Sequence, residues 1–180
     1  MLNNILVAID KSACSHQAFE TALELAKALG AQLTLVHALD VFAPTSPQRP
    51  QVSANSYSIE LDTLVRGTYD RQWDEFVQHY ESLLKQQQKK AEAMGIDCTY
   101  LQPYGRPGPA ICRAAKDSQA DLIVVGSHAR KGLSEMLLGS VSNHITHHAP
   151  CSVMVIHPHH SRPPNSFQES AEPTTAGALA

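Results

Sequence analysis

Asp121-Leu122-Ile123-Val124-Val125-Gly126 is the most strand-like run in the chain. It leads into Ser127-His128-Ala129-Arg130-Lys131-Gly132-Leu133-Ser134-Glu135-Met136-Leu137-Leu138, and then into Gly139-Ser140-Val141-Ser142. An unbroken apolar run with β-branched residues suits a strand buried on both faces, as in a parallel sheet. A loop with two basic residues follows, and Gly139-Ser140 opens a helix. The first amides of a helix lack partners within it, and its dipole favours negative charge there. The segment is therefore a candidate anion site. Gly139 allows close approach to the backbone, and the hydroxyls of Ser140 and Ser142 can donate. Arg130 and Lys131 either add charge to that site, stay solvated, or face another protomer.

Working outward, the same alternation repeats. Ile5 to Ile9 is a short apolar run closed by Asp10, and it reads as a buried strand. Ala18, Ala22, Leu25, Ala26 and Leu29 line one helix face. Ser12 or Ser15 can cap its start, and Gly30 fits its end. Residues 31–38 read as a second strand. Residues 41–69 lack a clear core pattern, and APTSPQRPQVSANSYS is rich in Pro, Ser, Gln and Asn. They read as an excursion with a short helix over Ile59 to Val65. Trp73, Phe76, Val77, Tyr80 and Leu84 restore helical spacing up to Met94 and Gly95, and this stripe reads as core or interface. A third strand spans Asp97 to Pro103. After the turn Gly105-Arg106-Pro107-Gly108-Pro109, a helix with Ile111, Ala114 and Ala115 inward runs to Ser118. A helix from Gly139-Ser140 to His148 and a last strand over Ser152 to His157 complete the series. The 158–180 tail is poor in large apolar groups and reads as disordered.

Strand and helix alternate, which predicts an α/β fold: one parallel sheet with helices on both faces. Right-handed crossovers place the ligand crevice beyond the carboxyl ends of the strands. Asp10, Ala38 and Gly126 reach that edge. Asp10 has two readings there, a cap for the first helix or an acceptor for ribose hydroxyls.

Composition sets the outer bounds. The chain has 180 residues, 43% hydrophobic and 17% charged, with a net charge of −3. That suits one globular domain over 1–157 and argues against a broad nucleic-acid-binding surface. No apolar run approaches the ~18 residues of a membrane span. The first residues read as structure rather than a leader, so the expected location is cytoplasmic. Four scattered cysteines contain no CxxC pair and read as reduced, packed thiols. His144 and His148 have zinc-compatible spacing, with His147, His157, His159 and His160 nearby. They lack an adjacent general-base Glu and an evident third ligand, so they read as surface histidines. No GxxxxGK[ST] occurs, and Asp10 and Glu135 are the carboxylates near the motif. The expectation is no dedicated catalysis, or slow hydrolysis of a bound nucleotide at most.

Gly126-x2-Ala129-x9-Gly139-Ser140, taken with ILVAID and Ser12, LVHALD, GRPGPAI and SVSNHITHHAPCSVMVI, resembles the universal stress protein family over roughly residues 1–40 and 70–157. The resemblance implies a Rossmann-like fold (adenine nucleotide α-hydrolase-like) with five parallel strands in the order 3-2-1-4-5. It implies a stress-response regulatory protein acting as a homodimer through the last strand, with a higher oligomer as an extension. It implies ATP or AMP as ligand, with Mg²⁺ accompanying ATP. A second branch of the family binds no nucleotide. Carried over by position, Asp10 meets the ribose and Gly126 lies near it, with Ala8, Ile9, Ser12, Ser127 and His128 as further nucleotide-binding candidates. The backbone around Ala38 meets the adenine. Ala129, Gly139, Ser140, Val141 and Ser142 surround the phosphates. Ala129 stands where the family pattern has its second glycine. If that position needs a positive φ, alanine costs ~1–2 kcal/mol.

Overall fold

The computed structural model describes residues 2–50, 59–127 and 138–157. The strands are β1 (Asn4–Ala8), β2 (Gln32–Val36), β3 (Cys98–Leu101), β4 (Leu122–Gly126) and β5 (Ser152–Ile156). The helices are α1 (Ala13–Leu29), α2 (Ile59–Ala93), α3 (Pro107–Asp117) and α4 (Ser140–His148). All strand pairs are parallel, and the sheet order is β3-β2-β1-β4-β5.

β1 lies at the centre because both its faces are apolar. Ile5, Val7 and Ile9 point into one core, where Phe19, Ala22 and Leu23 of α1 and Leu84 and Ala91 of α2 meet them. Leu6 and Ala8 point into the other, against Ile111 and Ala115 of α3 and Ile145 of α4. The unbroken hydrophobic run of β1 follows from this two-sided burial. The chain order then puts the switch point between β1 and β4, where successive connections leave in opposite directions. Gly30 ends α1 in the left-handed region, φ 65°, donating its N–H to the Ala26 carbonyl.

Residues 59–69 fall inside α2, so the excursion expected over 41–69 is shorter than the sequence pattern suggests. α2 has 35 residues, which makes it about 52 Å long. A five-residue strand spans roughly 17 Å, so the helix overhangs the sheet. Its second half is anchored by Tyr80, Leu84 and Ala91, all buried. Once that half is nucleated, each further turn forms at little cost. The overhang is braced by rings: Trp73 stacks on Tyr69 at 6.4 Å, on Phe76 at 5.5 Å and on Tyr104 at 6.2 Å. The Pro/Ser-rich composition around residue 50 masked this continuation. Residues 40–48 are also ordered by local bonds, with Ser46 Oγ donating to the Asp40 and Ala43 carbonyls at 2.6 and 2.8 Å. The 158–180 tail lies outside the described residues.

The two halves of α2 are expected to differ in their contribution to stability. Leu84 is fully buried and Leu64 is 69% exposed. Urea unfolding of Leu84→Ala is expected to show a loss of about 2–5 kcal/mol. Leu64→Ala should stay within about 0.5 kcal/mol of the parent. Equal losses would place Leu64 in a core.

Candidate functional site

The carboxyl ends of β1, β2 and β4 and the amino ends of α1 and α4 share one edge of the sheet. Asp10 lies two residues beyond β1, Ala38 two beyond β2, and Gly126 closes β4. Gly139 stands immediately before α4.

The turn from β1 into α1 is tied by three side chains. Ser12 is the N-cap, its Oγ accepting the Ser15 N–H at 3.1 Å. Asp10 Oδ1 accepts the Ser12 N–H at 2.7 Å. Ser15 Oγ accepts the Asp10 N–H at 2.8 Å and donates to the Ala8 carbonyl at 3.3 Å. The Ser12-x-x-Ser15 spacing is that of a capping box whose return bond lands two residues early. The cap is therefore Ser12 rather than Asp10, whose carboxylate ties the turn that leads into it. One carboxylate oxygen orders the turn, and the other has no hydrogen-bond partner among the described residues. Beside it opens a groove of about 640 Å³ lined by Asp10, Lys11, Ser12, His16, His79 and Gln86. That volume lies in the range of small-molecule sites.

Gly126 has a steric role that the sequence reading did not assign. A Cβ at this position would lie 2.7 Å from the Cys14 backbone carbon and 2.9 Å from the Cys14 carbonyl oxygen. The first turn of α1 thus rests directly on the end of β4. Next to it, Ser127 is buried and its N–H donates to the Ile156 carbonyl at 2.7 Å. The Ser127 hydroxyl has no partner among the described residues.

The starts of α1 and α4 differ. α1 is capped by its own Ser12, whereas Gly139 gives α4 no side-chain cap. The first backbone bond into α4 runs from the Asn143 N–H to the Gly139 carbonyl at 2.9 Å. The N–H groups of Ser140, Val141 and Ser142 consequently precede the helical ladder. Ser140 is exposed. Ser142 is buried and its hydroxyl donates to the Gly139 carbonyl at 3.1 Å, so that hydroxyl braces the turn and does not face outward. Gly139 has φ −62°, which other residues also adopt. His128, Ala129, Arg130 and Lys131 lie outside the described residues.

The side chains of Ala8 and Ile9 go into the two cores, and their carbonyls are engaged by Ser15 and His37. His37 was missed by periodicity because it is one polar residue at the end of an apolar strand. Its Nδ1 lies 2.8 Å from the Ile9 carbonyl, and Tyr80 stacks on its ring at 3.5 Å. Ala38 N–H and C=O make no backbone hydrogen bond to any described residue. On α4, His144 and His148 stack at 4.2 Å, and His148 Nδ1 is 2.9 Å from the His144 carbonyl.

Burial pushes the His37 pKa below its ordinary 6.5, and neighbouring His79 and Lys11 act in the same direction. The bond to the Ile9 carbonyl and the Asp10 charge oppose them. A depressed histidine contributes stability that is complete above 6.5 and is lost as the pH falls toward the folded-state value. An NMR titration is expected to give His37 a midpoint under 6.5; one at or above it would refute the buried, neutral ring. Separately, Gly126→Ala must push α1 off β4, with an expected cost of about 1–3 kcal/mol in thermal or urea unfolding.

These features define the class: a doubly wound α/β protein with an open edge at its switch point. Residues 1–157 match the universal stress protein family, and the chain belongs to that family. A universal stress protein of Synechocystis sp. is 30% identical over 152 residues, covering 84% of this chain and 96% of the relative. The solved universal stress protein UspA of Lactobacillus plantarum is 26% identical with a TM-score of 0.64, covering 86% of this chain and 97% of that one. A universal stress protein family member from Arabidopsis thaliana, solved with AMP bound, shares the fold at TM-score 0.55 and 21% identity. It covers 87% of this chain and 92% of its own.

Proposed function

We propose that this protein binds an adenine nucleotide, ATP or AMP, at the carboxyl edge of the sheet and acts as a regulatory homodimer in the cytoplasm. The observation that carries the reading is the backbone of Ala38, which makes no backbone hydrogen bond to any described residue, next to the switch point where one Asp10 carboxylate oxygen also has no hydrogen-bond partner among the described residues. An N–H donor and a C=O acceptor on one residue complement the N1 acceptor and N6 donor of adenine. The Asp10 oxygen suits a ribose hydroxyl. The uncapped start of α4 suits a phosphate at the Gly139, Ser140 and Val141 amides. Ser12 and Ser15 hold Asp10 in place, and Ser142 holds Gly139. Ser127, His128 and Ala129 would complete the path between ribose and phosphate, where Mg²⁺ would accompany ATP. The AMP-bound Arabidopsis relative supports the choice of nucleotide.

β5 forms one edge of the sheet, and Val153, Met154, Val155 and Ile156 along it are only partly buried. An apolar edge of this kind favours pairing with a second copy.

Calorimetric titration with ATP, AMP and GMP tests the nucleotide reading. Binding of ATP or AMP in preference to GMP is expected. Asp10→Ala should weaken it about tenfold, the usual scale of a lost charged hydrogen bond. Gly139→Val should weaken it by crowding the phosphate. A lack of binding at millimolar ATP and AMP would sink the proposal.

A further inference from the structure

The β1–β2 ladder runs in register from Asn4↔Gln32 to Ala8↔Val36. One more bond continues it, from the Ile9 N–H to the Val36 carbonyl at 2.8 Å. The next rung of a parallel ladder would pair the Ala38 N–H with the Ile9 carbonyl. That rung is replaced: the Ile9 carbonyl lies 2.8 Å from His37 Nδ1. On the opposite side the chain keeps its pairing. The His37 N–H donates to the Leu101 carbonyl at 3.1 Å, and the Leu39 N–H to the Pro103 carbonyl at 2.9 Å. The departure from the ladder is therefore local, and it faces the switch point.

A carbonyl can only accept, so Nδ1 carries the proton in this contact. Nε2 is buried without a hydrogen-bond partner among the described residues. The ring is held by packing. Tyr80 of α2 lies parallel to it, 3.5 Å between centroids at 8°, and Phe76 flanks it at 6.4 Å. An imidazole locked in this way is a fixed donor.

We infer that His37 is the positioning residue of the adenine site: its side chain takes over the Ile9 carbonyl and so keeps the Ala38 amide available to a 6-aminopurine. This rests on the nucleotide reading above. The same arrangement discriminates against a 6-oxopurine, whose N1–H would meet the Ala38 N–H donor to donor. Without the imidazole donor, the Ala38 N–H swings onto the Ile9 carbonyl and the base loses its partner.

The test reads amide hydrogen exchange and AMP affinity for the parent, His37→Phe and His37→Asn. Phenylalanine keeps a ring against Tyr80 and loses the donor, while asparagine retains a donor. In the nucleotide-free parent, Ala38 is expected to exchange at least about tenfold faster than Leu39, whose amide is bonded. In His37→Phe, Ala38 exchange should slow toward that of Leu39. AMP binding should weaken about tenfold, with a smaller preference for AMP over IMP. His37→Asn should behave as the parent. An Ala38 amide already protected in the nucleotide-free parent would overturn the inference. So would a folded His37→Phe variant that leaves Ala38 exchange and AMP affinity unchanged. If His37→Phe fails to fold, the parent's Ala38-to-Leu39 ratio decides, together with retention of parental exchange and affinity by His37→Asn. If no nucleotide binds, the nucleotide reading fails, while the exchange measurements still decide what His37 does to Ala38.

Discussion

The first turn of α1 rests on Gly126 with no room for a side chain between them. The rest of the candidate site depends on this contact. It joins the end of β4 to the loop that leaves β1, across the two strands where the winding of the sheet reverses. Asp10 and Ser12 are carried on that loop, and Ser15 on the first turn of α1. A residue larger than glycine would lift α1 and move the three of them together, because their bonds to one another make the turn one unit. The glycine at the end of β4 is thus a packing requirement before it is a ligand contact.

α1 and α4, which both begin at this edge, differ in how they start. α1 satisfies its own start through Ser12, and one oxygen of the neighbouring Asp10 carboxylate has no hydrogen-bond partner among the described residues. α4 begins at a glycine with no capping side chain and leaves its first amides open. A helix start without a capping side chain can take an anion, whereas a capped one is mainly structural. The β2 end adds a third element. There the ladder is interrupted by a side chain rather than by a turn, and the interruption leaves the Ala38 N–H beside the switch point without a backbone hydrogen bond to a described residue. Tyr80, which stacks on His37, lies on the same helix as the overhanging Trp73 and Tyr69.

Much of the fold was legible in the sequence because its signals are local and repeated. Continuous apolar runs at Ile5–Ile9 and Leu122–Val125 mark strands buried on both faces. The spacing of Ala18, Ala22 and Ala26 marks the buried side of a helix, and all three are buried. The helix over 59–69 was not legible in full, because the stacking of Trp73 on Tyr104 joins residues far apart in sequence. The site was legible in part. Asp10 and Gly139-Ser140 stand out as an acid after a strand and an uncapped helix start. Ser142 carried the same signal, yet its hydroxyl turns back to Gly139. His37 carried no signal, since its role depends on a rung of hydrogen bonding with a strand nearly thirty residues away.

The sequence by itself determined the alternation of strands and helices, the two-faced burial of the central strands, and the family to which the chain belongs. Those properties follow from side-chain hydrophobicity at fixed periods and from residues close together in the chain. Only the tertiary structure decided why position 126 excludes a side chain, which oxygen of Asp10 bonds the turn, and why the Ala38 backbone makes no backbone hydrogen bond to a described residue. Each of these depends on how closely two segments approach across the sheet, and hydrophobic periodicity specifies which face is buried without specifying that distance.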